Sequence, residues 1–195
     1  VLGTPFSYDL GAGAQSAEAI AHPPPFERLR AVALYNGSIR QLVSALKFAD
    51  RVDLAPWMAR WMLRSADTLL DGSPVIVPVP LHRRRLFARR FNQSAELARH
   101  LALLSGNPYQ PQSLKRVKAT RQQVGLGVKD RFRNVSGAFR VPLDHRISVQ
   151  GRRVVVVDDV YTTGATLKAC ARALKRGGAT QIDCLTFARV ASGEE

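Results

Sequence analysis

Cysteine is nearly absent from this chain: Cys170 and Cys184 are the only two in 195 residues, too few for a disulfide framework. Both fall in segments that read as buried secondary structure, so they are expected to be small core residues of a protein in the reducing cytoplasm. Long apolar runs are missing as well. No stretch approaches the roughly 20 residues a membrane helix needs, and no charged-then-apolar leader opens the chain, so neither a membrane span nor secretion is expected. The chain opens on Val1 rather than Met, which leaves room for a segment upstream. Acidic residues are scarce: 15 Asp plus Glu stand against 29 Lys plus Arg, giving a net charge of +14 and a pI near 11.0. That excess draws an anionic partner, whether nucleic acid, a phosphorylated small molecule or an anionic membrane surface, and does not choose among them. Two common phosphate motifs are also missing, Gly-x-x-x-x-Gly-Lys-Ser/Thr and a complete Gly-x-Gly-x-x-Gly.

What is present suits one compact α/β domain. The hydrophobic fraction of 46% and charged fraction of 23% are those of a soluble globular protein with a sizeable core. Residues 1–26, rich in Gly, Ala and Pro, read as an irregular arm. Residues 27–72 hold an alternating strand at Leu29–Tyr35 and two helices. The first carries Ile39, Leu42, Val43 and Leu46 on one face, and the second Trp57, Met58, Trp61 and Met62, both tryptophans being expected to pack inward. Residues 73–190 begin with a buried strand over Val75–Val79 and then a basic loop. Asn92 is placed to cap a helix from Gln93 to Leu104. Residues 108–136 read as an extended basic loop with a short strand near Leu114–Val117. A βαβ unit follows: strand Arg153–Val157, a turn, helix Ala165–Arg176, Gly177-Gly178 as its stop, and strand Ile182–Ala188. Residues 191–195 are a tail. Four consecutive valines without alternation mark a strand covered on both faces, hence a parallel sheet with helices on either side.

Ligands of open parallel sheets sit beyond the carboxyl ends of the strands, where Asp158 to Thr166 falls. Thr162, Thr163 and Thr166 supply hydroxyls, Gly164 removes a Cβ, and the next helix presents free N–H groups. Together they make a cradle for a phosphate monoester. Asp158 and Asp159, immediately before it, can accept hydrogen bonds from sugar hydroxyls or hold a hydrated magnesium ion. An Asp-Asp pair alone reads as a turn or cap; the Thr-Thr-Gly-Ala-Thr continuation turns the reading to a ribose 5-phosphate.

Four apolar residues, two acids, two variable residues and Thr-Thr-Gly-x-Thr resemble the signature of type I phosphoribosyltransferases. The wider pattern resembles the bacterial ComF family: Tyr35, Gly37, Leu46-Lys47-Phe48, Val77-Pro78-Val79-Pro80-Leu81-His82, Arg90-Phe91-Asn92-Gln93, Thr120-x-x-Gln123-x-x-Leu126 and Arg131-x-x-Asn134-x-x-Gly137-Ala138-Phe139. That family takes its name from competence, and its members often carry an amidophosphoribosyltransferase-like label. The resemblance implies a Rossmann-like parallel-sheet fold with a small N-terminal hood from residues 27–72. It implies that Asp158 and Asp159 face the ribose hydroxyls, with magnesium held directly or through water, and that Val160, Tyr161, Thr162, Thr163, Gly164, Ala165 and Thr166 wrap the 5′-phosphate. Pro80, Leu81, His82 and Arg83 resemble the loop that grips pyrophosphate. Among Arg83, Arg84, Arg85, Arg89 and Arg90, one or two are expected at the diphosphate and the rest in solvent. The zinc-binding module that usually opens the family is not found in this sequence, being either lost or upstream of Val1, so zinc is not expected in this chain. Two functions stay open: transfer of a phosphoribosyl group from phosphoribosyl pyrophosphate to an unknown acceptor, or a non-catalytic nucleotide-sensing protein that handles DNA, single-stranded DNA included, on its basic surface.

Overall fold

The computed structural model describes residues 20–120 and 127–191. Four strands form its central sheet: β1 (Arg28–Leu34), β2 (Val75–Pro78), β5 (Arg153–Tyr161) and β6 (Gln181–Arg189), in the order β1-β6-β5-β2 and all parallel. Pro108 to Gln110 extends the β2 edge, where the Ile76 N–H donates to the Pro108 carbonyl and Ile76 in turn accepts from Gln110. Helices α1 (Gly37–Phe48), α2 (Ala55–Ser65), α3 (Arg83–Arg89), α4 (Gln93–Ser105), α5 (Val128–Val135) and α6 (Ala165–Arg176) connect the strands. A two-residue antiparallel pair, β3 (Lys115–Arg116) with β4 (Phe139–Arg140), stands apart from the main sheet.

The valine run explains the layering. Along β5, Val154 and Val156 face one core with Val75, Val77 and the α6 residues Leu167, Cys170 and Leu174. Val155 and Val157 face the other, with Ile76, Leu185, Phe187 and the inward residues of α1, α2 and α4, among them Leu46, Met58, Met62, Leu97 and Leu101. A strand buried on both faces has no polar alternation to keep, and this one shows none until the acids. Cys170 and Cys184 are buried in the first core, and burial pushes both thiols well above their ordinary value.

Several details differ from the sequence reading. The strand does not stop at Val157: β5 continues through Asp158, Asp159 and Val160 to Tyr161, because Asp158 pairs with Thr186, Val160 with Ala188 and Tyr161 with Arg189 of β6. The stretch 108–136 is not only a loop, since it holds β3 and α5. Trp57 and Trp61 do not pack inward as Met58 and Met62 do; they are 62% and 43% exposed, although Trp61 stacks on Phe187 at 6.0 Å. Of the segment 27–72, β1 is an edge strand of the sheet and α2 packs against α4. The expected arm falls mostly at residues 1–19, the loop motif's Gln123 and Leu126 within 121–126, and the tail mostly at 192–195, all outside the described residues. Phe26, at the end of the arm, is buried.

Candidate functional site

At the carboxyl ends of β5 and β2 lies a cleft of about 340 Å³ whose lining joins both halves of the chain. Asp158, Asp159 and Val160 enter it from β5, and Thr162 and Thr166 from the turn and first turn of α6. Asp158 is buried; its Oδ1 accepts from the Ser94 hydroxyl at 2.8 Å and from the Asp159 N–H at 3.0 Å. Asp159 pairs through Oδ2 with the Lys47 ammonium at 2.9 Å. Burial, and then the adjacent Asp159 charge, push the Asp158 carboxyl up to about 7, against the opposing pull of Ser94 and Lys47. For Lys47, burial works to lower the value, but the Asp159 charge and hydrogen bond, helped by Asp158, carry it above its ordinary range.

Of the expected phosphate cradle, Val160, Thr162 and Thr166 line the cleft, whereas Tyr161, Thr163, Gly164 and Ala165 do not. Gly164 takes φ +74 as the cap of α6, a left-handed conformation that favours glycine. Its missing Cβ serves the protein itself, since one there would come within 2.5 Å of the buried Tyr161 hydroxyl. Tyr161 and Ala165 are buried behind the cradle, and Arg189 lies over the Tyr161 ring. Thr163 is half-buried, and its Oγ1 is buried without a hydrogen-bond partner. The N–H groups of the first α6 turn complete the anion-attracting end, Lys168 being the first to close a helical bond, to the Gly164 carbonyl.

The opposing wall is cationic. Arg85 and Arg89 of α3, Arg116 of β3 and Arg131 of α5 all line the cleft. Burial, then Arg89, lowers the Arg85 guanidinium, and burial, then Arg85, lowers that of Arg116. Guanidiniums gathered on one wall of a cleft favour an anion between them. Of the loop Pro80 to Arg83, Leu81 lines the cleft, His82 caps α3 by accepting from the Arg84 N–H at 3.4 Å, Pro80 leads in, and Arg83 is exposed. Arg84 and Arg90 are exposed too.

The sequence reading missed Lys47, Arg116, Arg131, Ser94 and Gln93 as lining residues. A signal existed for most of them, since Lys47, Gln93 and Arg131 sit within the short motifs already noted. Asn92 explains the placing of its neighbours: its Oδ1 accepts from the Ser94 N–H at 3.1 Å and its Nδ2 donates to the Val79 carbonyl at 3.0 Å. That clamp fixes the start of α4 against β2 and aims Gln93, whose buried Nε2 has no partner, and Ser94 into the cleft.

Residues 94–195 match the phosphoribosyl transferase domain family. The DNA utilization protein YhgH of Salmonella typhimurium is 41% identical over 170 residues, covering 84% of this chain and 73% of that protein. Competence protein F of Haemophilus influenzae is 31% identical over 171 residues, covering 85% and 74%. Competence protein ComFC of Bacillus subtilis is 29% identical over 167 residues, covering 82% and 63%. Among solved structures, one described as the allosteric regulatory enzyme of purine biosynthesis is 25% identical over 68% of this chain and only 25% of its own, with a TM-score of 0.45. No helix of the described residues is long and apolar enough to cross a membrane. The chain therefore belongs to the phosphoribosyl transferase domain family, and within it to the ComF proteins of competence and DNA utilization.

Proposed function

We propose that the cleft binds phosphoribosyl pyrophosphate, or another ribose 5-phosphate, and transfers the phosphoribosyl group to an acceptor. The observation that carries this reading is the arrangement of three sets of groups in one cleft: the acidic pair of β5, the hydroxyl and N–H cradle of α6, and the arginines of α3, β3 and α5. A ribose 5-phosphate with a diphosphate at C1 has complementary parts at matching places. Its hydroxyls donate to Asp158 and Asp159, its 5′-phosphate accepts from Thr162, Thr163, Thr166 and the helix N–H groups, and its diphosphate meets the guanidiniums.

In the transfer, the bond from ribose C1 to the diphosphate oxygen breaks as a bond to the acceptor's nucleophilic atom forms. The electron pair of the breaking bond leaves with the diphosphate. The chain's share is placement and charge: the acidic pair holds the ring and favours its developing positive character, while Arg85, Arg89, Arg116 and Arg131 stabilise the departing anion. Magnesium fits this donor set only in part. The pair offers two carboxylates, and among the described residues no cluster of three His, Cys, Asp or Glu joins them. That suits an ion that keeps its waters and takes its remaining oxygens from a phosphate ligand. When bound, it would offset charge on the diphosphate, with Asp158 and Asp159 as its protein contacts.

A second reading, in which the fold senses a nucleotide and handles DNA, draws support from the net charge of +14 and from Trp57, an exposed ring with the Arg60 guanidinium 5.0 Å above it. Aromatic rings and arginines of this kind suit single-stranded nucleic acid. Incubation with candidate amines and bases separates the two. Release of pyrophosphate with any acceptor supports the transferase; salt-sensitive binding of single-stranded DNA without release supports the second reading.

A further inference from the structure

Lys47 is the charged member of the site that comes from α1, in a cleft read as receiving a ligand with a phosphate at one end and a diphosphate at the other. Its ammonium sits 2.9 Å from Asp159 Oδ2, with the side chain 23% exposed and the Asp159 side chain 9%. The next residue, Phe48, is 72% exposed, so the end of α1 is held over the cleft by Val43 and Leu46 one turn back and by this ion pair. Asp158 beside it is occupied differently, by the Ser94 hydroxyl and the Asp159 N–H. The pair therefore carries one cation of its own.

We propose that Lys47 is a resident counter-ion that keeps a divalent cation from Asp159 until a diphosphate-bearing ligand arrives. The inference rests on the reading of the cleft as a phosphoribosyl pyrophosphate site. A divalent ion approaching the cleft without a ligand meets an ammonium already on one of its two carboxylates, and among the described residues it finds no third carboxylate to complete a shell. Magnesium dehydrates reluctantly and demands several well-placed oxygens, so it does not displace the lysine alone. A ligand that brings diphosphate oxygens changes both sides of that exchange. It supplies the missing oxygens, and it offers the ammonium a phosphate partner a short distance away, which the four-carbon stem of Lys47 can reach by rotation. Metal and ligand then load together, and simple phosphate monoesters leave the lysine in place.

Manganese binding, read by the paramagnetic resonance of the free ion, tests this in the wild-type chain and in Lys47→Met and Lys47→Arg variants, with thermal melting to confirm folding. Without ligand, Lys47→Met is expected to bind manganese at least about tenfold more tightly than wild type, and Lys47→Arg, which restores the cation, to remain as weak as wild type. Phosphoribosyl pyrophosphate is expected to raise the wild-type affinity for manganese by a similar factor, and ribose 5-phosphate to leave it unchanged. Equal manganese affinity in wild type and Lys47→Met overturns the proposal, and Lys47→Gln repeats the comparison should the methionine variant not fold. Failure of every variant to bind phosphoribosyl pyrophosphate would instead overturn the reading of the cleft, while the ligand-free comparison still decides the role of Lys47.

Discussion

The two ends of the parallel sheet each bury aspartates, and they treat them differently. Near the amino ends of the strands, Asp183 of β6 accepts from Arg28 Nε at 3.1 Å and Nη2 at 3.0 Å and from Gln181 Nε2 at 3.1 Å, with Arg153 Nη2 at 3.6 Å. Two guanidiniums surround one carboxylate that is almost wholly buried. At the carboxyl ends, Asp158 and Asp159 share a single ammonium, and the nearby arginines line the cleft instead of closing on the acids. Residue type, burial and strand geometry are alike at the two ends; the balance of charge is not. An acid with a surplus of cations is finished and holds β1, β5 and β6 together. A pair with too few is left with acceptor capacity for a ligand, which is why burial and mutual repulsion show up in the Asp158 carboxyl.

Removing the finished acid should cost the most. Asp183→Ala strands two guanidiniums that are each about a third exposed, and a loss of about 3 kcal/mol in urea unfolding is expected, with ligand affinity unchanged in the protein that remains folded. Gly164→Ala strains the cradle where φ is +74 and a Cβ would meet the Tyr161 ring; a loss of about 2 kcal/mol in thermal unfolding is expected, together with weaker phosphate binding. The pH dependence distinguishes the ends directly. Asp158 has its carboxyl raised from 3.8 to about 7, so the stability that its protonated form contributes is present below 3.8 and is lost as the pH rises to about 7. Asp158→Asn should therefore gain stability relative to wild type at pH 8 and little at pH 4. Ribose hydroxyls need an ionised acceptor, so ligand affinity of the wild type should rise about tenfold between pH 6 and pH 8, and calorimetry at the two pH values checks it. The smallest effect is expected away from both ends: Trp57→Ala, at an exposed ring, should change stability by no more than about 0.5 kcal/mol, measured by urea unfolding.

The acidic pair and its cradle were legible in the sequence because the whole unit is contiguous. A valine strand, two acids, a threonine-rich turn and a glycine-stopped helix each carry a local signature. The parallel sheet was legible for the same reason. The arginine wall was legible only in part: the clustering of Arg83, Arg84, Arg85, Arg89 and Arg90 is visible, but which side of α3 faces the cleft depends on tertiary packing. Lys47 could be noticed as part of Leu46-Lys47-Phe48, yet its contact with Asp159 joins segments far apart in the chain. Helix α5 has the sequence of a loop because Val128, Phe132 and Val135, although at helical spacing, stand among Lys129, Arg131 and Arg133 in a basic stretch. The extension of β5 was hidden by a familiar habit of Asp-Asp pairs to form turns, and only pairing with Thr186, Ala188 and Arg189 overrides it. For Trp57 and Trp61, helical spacing located the apolar stripe but could not tell that the stripe is wider than the face α4 covers.

On the reading proposed above, the under-paired acids are the ribose end of a phosphoribosyl pyrophosphate site. Calorimetric titration of phosphoribosyl pyrophosphate with magnesium, in the wild type and in Asp158→Asn/Asp159→Asn, tests it most directly. Saturable binding by the wild type is expected, with a loss of about 100-fold in a variant that unfolds no more readily. Wild-type protein that binds nothing at millimolar ligand, or a double variant that binds as well as wild type, would contradict it.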